Sequence, residues 1–132
     1  KRKEVKVEPS TQTPARMMIA EFMLLAGEVA ARFAQERRVP FVYRTQLPVL
    51  KVPDFPDLDR MRNEACRNFQ QVLLMKPAVN LVMPAPHSGL GLSLYSQVTS
   101  PIRRYMDLLL HRQLRAALLG TAPAYSTDRV HH

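Results

Sequence analysis

Cysteine is almost absent from this chain of 132 residues, which contains only Cys66. A single cysteine excludes an internal disulfide and a zinc site built on several cysteines, and it is typical of a reducing compartment. The four histidines have none of the spacings used by metal-binding motifs, and the HExxH pattern is missing. We therefore predict that the residues of this sequence form no metal site.

Long uninterrupted apolar runs are also missing. The longest, at 17–34, is broken by Glu21, Glu28 and Arg32, so it carries too much charge to cross a membrane. The basic start of the chain, KRKEVKVEPS, has no apolar segment after it, so we expect no signal peptide. The stretch GLGL at 89–92 lacks the third glycine of a dinucleotide-binding fingerprint and the GK[ST] ending of a phosphate-binding loop.

The composition has an excess of positively charged residues. The chain contains 19 Lys and Arg against 11 Asp and Glu, which gives a formal net charge of +8. Hydrophobic residues make up 46% of the chain, so a folded core is expected rather than general disorder. The charge favours an acidic partner, and nucleic acid is the first candidate.

The first long helix is predicted to begin at Thr13 and Pro14, which suit the N-cap and the first helical position, and to run to about Arg37. Its polar side chains fall on one narrow stripe, so we expect a helix that is buried nearly all round. A carboxylate on such a helix needs a partner, because isolated burial of a charge is costly. Glu21 is therefore expected to form either a salt bridge with an arginine or a contact with a ligand.

Prolines and periodicity predict the elements that follow. The sequence indicates short strands at 3–8 and 41–44, and a second helix over 58–74 with Asp57 as its cap. The inner face of that helix is expected to contain five residues: Met61, Ala65, Phe69, Val72 and Leu73.

The stretch TSPIRRYMDLLLHRQ at 99–113 begins like a helix, with Ser100 as N-cap and Pro101 at the first helical position. Gly120 is expected to end this helix. Arg103 and Arg104 would then lie on the first turn, where free amides and the helix dipole already favour an anion. Either a phosphate or carboxylate faces the two arginines, or both are solvated or paired with structural carboxylates.

The segment HSGLGLSLYSQVTSPIRRYMDLLLHRQL, at 87–114, resembles the signature of the ribonuclease II (RNB) family of 3′-to-5′ exoribonucleases. Two upstream stretches also resemble that family. The long central helix corresponds to ARMMIAEFMLLAGEVAARFA, and the segment that follows this helix corresponds to VPFVYRTQ. The resemblance covers most of residues 14–119. It implies an α+β fold: the helix-rich C-terminal part of an RNB catalytic domain over 1–119, with a long buried helix, a signature helix and short strands. Residues 120–132 are then a linker or tail.

The resemblance implies part of a hydrolytic enzyme that degrades RNA from a single-stranded 3′ end to nucleoside 5′-monophosphates, with Mg²⁺ as cofactor. Nothing before Ala15 matches the family's metal-binding aspartates, so we expect this segment to be inactive alone. It would need the remainder of the catalytic domain and the RNA-binding domains. The implied location is a bacterial cytoplasm or an organelle, without a membrane partner.

Two other functions stay open. The first is a catalytically inactive RNB homologue that binds RNA or acts as a scaffold. The second, which sets the resemblance aside, is a small basic helical domain that binds nucleic acid. A cluster of closely spaced aspartates in the preceding residues would distinguish the enzyme from the inactive homologue.

By resemblance, Arg103 contacts phosphates near the RNA 3′ end and is the catalytic residue. Asp107 lies one turn after Arg103 and is expected to hold its guanidinium in place. Arg104 is assigned to RNA binding, as a backbone contact or a structural residue. The resemblance places Glu21 near the terminal ribose, where its carboxylate accepts a hydrogen bond from the 2′-OH. Three further signature residues are given supporting, structural roles: His87, Tyr95 and His111.

Overall fold

The computed structural model describes residues 12–48 and 63–131. The larger elements are helices α1 (Pro14–Glu36), α2 (Glu64–Leu74), α3 (Tyr105–Leu118) and α4 (Thr127–His131). Strands β1 (Tyr43–Thr45) and β2 (Val79–Leu81) form a two-stranded antiparallel sheet, and a 3-10 turn covers Ser88–Leu90. The α+β prediction is confirmed. Within the described ranges, no helix has the length and apolar character needed to cross a bilayer.

Helix α1 begins where the sequence predicts. The Thr13 hydroxyl accepts a hydrogen bond from the backbone N–H of Arg16 at 3.3 Å, and Pro14 occupies the first turn. The helix ends at Glu36, and Arg37 is the C-cap. Thr13 and Pro14 therefore fix the start of α1 as expected.

The prediction that α1 is buried nearly all round is wrong. Its buried residues are Gly27, Ala30, Ala31 and Ala34, all in the second half, where small side chains allow close packing. Large apolar residues remain exposed along the helix: Met17, Met18, Ile19, Phe22, Met23, Leu25 and Val29. Glu21 is exposed as well, so the expectation that burial forces it to find a partner is also wrong.

The core lies between the second half of α1, the chain around β1, and α3. Phe41 and Leu110 are almost completely buried, and the Phe41 ring contacts Tyr43 edge to face at 5.9 Å. The other buried core residues come from both halves of the chain: Ala30, Ala31, Ala34, Val42, Leu94, Val98, Leu109 and Val130.

Strand β1 lies slightly later than the predicted strand at 41–44. Tyr43 pairs with Leu81 and Thr45 with Val79, so the two strands run in opposite directions. On its other side, the backbone N–H of Arg44 donates to the carbonyl of Tyr95 at 2.9 Å. This bond ties the sheet to the segment that precedes α3. The predicted strand at 3–8 lies outside the described residues.

Helix α2 begins at Glu64, later than predicted, because the Asn63 side chain accepts from the backbone N–H of Ala65 at 2.9 Å. The expected cap Asp57 and the residues at 58–62, Met61 included, lie outside the described ranges. The predicted inner face is wrong for the rest: Ala65 is exposed, and three apolar side chains are each 61% exposed, namely Phe69, Val72 and Leu73.

Helix α3 begins at Tyr105, not at Pro101, and its N-cap is Arg104 rather than Ser100. The carbonyl of Ser100 accepts the backbone N–H groups of Arg103 and Arg104, at 3.2 and 3.0 Å, which forms a turn before the helix. The two arginines therefore precede the first helical turn. The prediction of Ser100 as N-cap fails because its neighbours form this turn first.

The end of α3 follows the prediction. Gly120 has φ +66°, a left-handed conformation that costs glycine little. Its N–H donates to the carbonyl of Ala117 at 3.3 Å, and the N–H of Thr121 donates to Ala116 at 3.0 Å. These two bonds form a Schellman motif, which satisfies the last carbonyls of the helix.

The residues after Gly120 fold back on the core. Val130 in α4 is 3% exposed, and Gln113 of α3, which is completely buried, bonds to the backbone of Pro40 and Tyr125. The Gln113 amide donates to the carbonyls of Pro40 and Tyr125 at 2.9 and 2.8 Å and accepts from the Tyr125 N–H at 3.0 Å. The domain division at 119/120 remains a prediction.

Candidate nucleic-acid interface

The segment between Tyr95 and α3 has no regular secondary structure, yet side chains hold it against the core. The buried Ser96 hydroxyl donates to the carbonyl of Val42 at 2.6 Å. Further along, the Nε2 atom of His111 lies 2.6 Å from the carbonyl oxygen of Val98. Hydrogen bonds from fixed elements therefore replace the ladder that a strand would have.

Asp107, in the first turn of α3, holds the end of this segment. Its carboxylate is 0% exposed and accepts the backbone N–H of Ser100 at 2.8 Å. It also accepts from Arg104, whose Nε lies 2.9 and 3.0 Å from the two oxygens and whose Nη2 lies 2.7 Å from Oδ2. This bidentate pair raises the pKa of Arg104.

The expected pairing of Asp107 with Arg103 is wrong, because Arg104 takes that carboxylate. Arg104 is the N-cap residue with an extended backbone, and its side chain lies over the first turn of α3. Arg103 is exposed, and its side chain has no hydrogen-bond or ion-pair partner in the described part of the chain. Its neighbours Ile102 and Tyr105 are exposed apolar side chains. The two adjacent arginines thus have different environments.

His87 and Tyr95, both in the signature segment, pack against each other. Their rings meet edge to face at 5.7 Å, and the Nδ1 atom of His87 is buried without a hydrogen-bond partner among the described residues. Burial lowers the pKa of His87, and the nearby charge of Arg44 lowers it further, against a backbone hydrogen bond that raises it. Burial also raises the pKa of the Tyr95 hydroxyl. At neutral pH His87 is therefore an uncharged packing residue.

Gly27 brings α1 against this aromatic pair. A Cβ atom at Gly27 would overlap the ring of Tyr95 and the carbonyl oxygen of Ser96. The absence of a side chain is what lets α1 and the signature segment approach so closely. The charges of Arg104 and Asp107 also act on the pKa of Tyr95, which Arg104 lowers and Asp107 raises. The supporting residues Tyr95 and Asp107 thus lie in one neighbourhood.

Gln46 organises the loop that leads into the signature and was missed by sequence reasoning. It is 8% exposed; its amide donates to the carbonyl of Lys76 at 2.7 Å and accepts from the N–H of Gly89 at 2.9 Å. Its backbone carbonyl accepts the N–H and the hydroxyl of Ser88 at 2.9 and 2.7 Å. A polar residue directly after a buried strand was the only sequence signal for this role.

Glu21 lies apart from this cluster in its bonding. In the described ranges, no ion pair or hydrogen bond joins it to Arg103, Arg104 or Asp107. One ion pair on its helix joins Glu28 and Arg32, at 2.7 Å. Residues 12–48 and 63–131 also contain no group of three His, Cys, Asp or Glu that could hold a metal ion. These residues therefore do not fit a magnesium site.

The family model of the RNB domain matches residues 1–120, so the chain belongs to the RNB family. It is 39% identical over 127 residues to an uncharacterized ribonuclease of Synechocystis, covering 96% of this chain and 19% of that protein. It is 38% identical to the chloroplastic/mitochondrial ribonuclease II of Arabidopsis thaliana, covering 80% of this chain and 13% of that protein. The chain spans less than a fifth of either relative.

A solved structure agrees with this assignment. An active-site mutant of the Dss1 exoribonuclease from Candida glabrata superposes with a TM-score of 0.74 at 25% identity. The match covers 92% of this chain and 17% of the Dss1 chain. The fold described above is therefore the fold of part of an RNB domain.

Proposed function

We propose that the protein containing this chain is a hydrolytic 3′-to-5′ exoribonuclease, which degrades RNA from a single-stranded 3′ end to nucleoside 5′-monophosphates. Membership of the RNB family and the relatives named as ribonucleases support the proposal. The single observation that carries it is Arg103, an exposed cation whose side chain has no partner among the described residues and which lies on a turn held in place by hydrogen bonds.

Hydrolysis of a phosphodiester increases the negative charge on the phosphoryl oxygens, and a fixed guanidinium stabilises that charge. Arg103 supplies the guanidinium, from a turn whose backbone is held by hydrogen bonds to Ser100 and Asp107. Arg104 lies beside it, but its Nε and Nη2 donate to Asp107, so its part in RNA binding is chiefly to shape the turn. Both arginines also attract the RNA backbone through their charge.

Glu21 is proposed to recognise the ribose of the terminal nucleotide. Its carboxylate is exposed on α1 and free to accept a hydrogen bond from a 2′-OH, the group that distinguishes RNA from DNA. His87 and Tyr95 support the site by packing against each other within the signature segment.

The proposed cofactor is Mg²⁺, bound by carboxylates that are not among the residues described here. The described residues alone are expected to be inactive, because they lack such a cluster. We place the enzyme in a bacterial cytoplasm or an organelle, in line with its cyanobacterial and its chloroplastic/mitochondrial relatives.

The test uses the complete protein and the variant Arg103→Lys, which keeps the charge and removes the planar fork. We expect single-turnover release of nucleoside 5′-monophosphates to slow by about 10²–10³-fold, with equilibrium RNA binding nearly unchanged. Arg115→Lys, an exposed arginine in the last turn of α3, is the matched control and should retain the full rate.

Two results would contradict the proposal. If the wild-type protein binds RNA but releases no nucleotide with any divalent metal, the inactive homologue is the correct interpretation. If Arg103→Lys weakens binding as much as cleavage, Arg103 belongs to an ordinary basic patch and not to the reacting centre.

A further inference from the structure

The carboxylate of Asp107 is the most completely enclosed charged group of the signature segment. It is 0% exposed, yet it does not bond to the arginine that faces solvent. A buried carboxylate persists only where donors surround it, and here the donors are the Arg104 side chain and the Ser100 backbone. All of them belong to the turn on which Arg103 lies.

Hydrogen bonds hold that turn at both of its ends, Ser100 and Arg104. The N–H of Ser100 donates to Asp107 at 2.8 Å, while the carbonyl of Ser100 accepts the N–H groups of Arg103 and Arg104. The Arg104 guanidinium donates to the same carboxylate of Asp107. The backbone of Arg103 is thus bonded to Ser100 and followed by a residue whose side chain is fixed.

From this arrangement we infer that Asp107 is a positioning residue for Arg103 and acts through the turn Ser100–Arg104. The inference rests on the proposed function, because Arg103 needs a phosphate to act on. Asp107 itself touches no RNA. Its buried charge holds Arg104 and Ser100, and those residues set where the Arg103 side chain leaves the backbone.

The substitution Asp107→Asn tests this inference, because it keeps the size of the side chain and replaces one acceptor oxygen by an NH₂ donor. That NH₂ group faces either the Ser100 N–H or the Arg104 guanidinium, and two donors cannot bond to each other. One of the hydrogen bonds that hold the turn is therefore lost, and Arg103 shifts. In the complete protein we expect the single-turnover rate at saturating RNA to fall by about 10²-fold, the usual cost of a misplaced reacting group. The dissociation constant for RNA should change by less than about threefold, because the charge of Arg103 remains.

A double-mutant cycle separates positioning from general damage. Once Arg103→Lys has removed the fork, Asp107→Asn should lower the rate by less than about threefold more, since residues that act through one another are non-additive. Asp128→Asn, an exposed aspartate in the first turn of α4, is the control for loss of one negative charge and should have no effect.

Arg104→Lys provides a second test if Asp107→Asn fails to fold. Lysine keeps the ion pair and loses the bidentate geometry, so it should slow cleavage less than Asp107→Asn and should also be non-additive with Arg103→Lys. Amide hydrogen exchange gives a readout without RNA: the N–H groups of Ser100, Arg103 and Arg104 should exchange faster in Asp107→Asn and not in Asp128→Asn.

Additive losses in the double mutant, or unchanged exchange in the turn, would overturn the inference. Either result leaves the slow cleavage by Arg103→Lys, and with it the proposed function, intact. A wild-type protein without nuclease activity would overturn both.

Discussion

Gln113 offers a direct measure of how firmly the residues after α3 are attached to the core. It is completely buried, and its amide makes three hydrogen bonds to the backbone of Pro40 and Tyr125. Methionine has a similar unbranched shape and no amide. The change Gln113→Met therefore removes the three bonds with little change in packed volume.

The expected magnitude follows from those bonds. Each contributes about 0.5–1.5 kcal/mol net, so losing three costs about 1.5–4.5 kcal/mol. Tyr125 is only half-buried, so water can partly replace the bonds to its backbone, which puts the local cost near the lower limit. A loss of about 2 kcal/mol corresponds to about a 30-fold change in an opening equilibrium.

Hydrogen exchange at the Val130 amide measures this cost in the complete protein, because that N–H lies in the segment after α3 and donates to the carbonyl of Ser126 at 3.1 Å, so the substitution leaves its own bond in place. We expect it to exchange about 30-fold faster in Gln113→Met. Gln35→Met is the matched control, since Gln35 is an exposed residue of α1. The reasoning is refuted if the Val130 amide exchanges at the wild-type rate in Gln113→Met, or if Gln35→Met accelerates its exchange equally.

Two further predictions concern Glu21 and His87. In the complete enzyme, Glu21→Ala should narrow the difference between RNA and DNA cleavage by about 1–3 kcal/mol in transition-state free energy, because one hydrogen bond to the 2′-OH is lost; equal losses on both substrates would contradict this. The pKa of His87 is lowered on folding, so the unfolded chain binds the proton first and stability should decline as pH falls below about 6.5. Urea midpoints measured at several pH values should show this decline, and it should be weaker in His87→Gln.

Local signals in the sequence were sufficient for the ends of two helices. Thr13 with Pro14 sets the start of α1, and Gly120 sets the end of α3, since each acts through bonds to its immediate neighbours. The start of α3 could not be found in the same way. Ser100 and Pro101 are good helix-starting residues, but a tight turn and the hydrogen bond that the Ser100 N–H donates to Asp107 hold Ser100 outside the helix.

The partners of charged side chains were the least predictable part of the candidate site. Spacing along a helix favours Asp107 with Arg103. That spacing does not apply, because both arginines precede the helix, and the structure pairs Asp107 with Arg104, the N-cap residue. The exposed apolar side of α1, including Phe22, could not be anticipated either, because helical periodicity shows that a face is apolar and does not show what covers it.

The buried amides illustrate a third limit. Gln113 interrupts the apolar side of α3 that contains Leu109 and Leu110, and a polar residue on such a face is a usable signal for a buried hydrogen-bond network. Of its partners, Pro40 lies far from it in the sequence, and Tyr125 lies beyond the turn that follows α3. Only the tertiary structure identifies them.

The ties along the segment before α3 have a consequence for how its length can vary. Ser96, Val98 and Ser100 are each bonded to a fixed element, at intervals of two residues. A surface loop normally absorbs an added or deleted residue, but here a single insertion would move every later tie out of register. The exposed Ile102 can change identity without disturbing them. This irregular segment should therefore tolerate substitution while resisting any change of length, as a buried strand does.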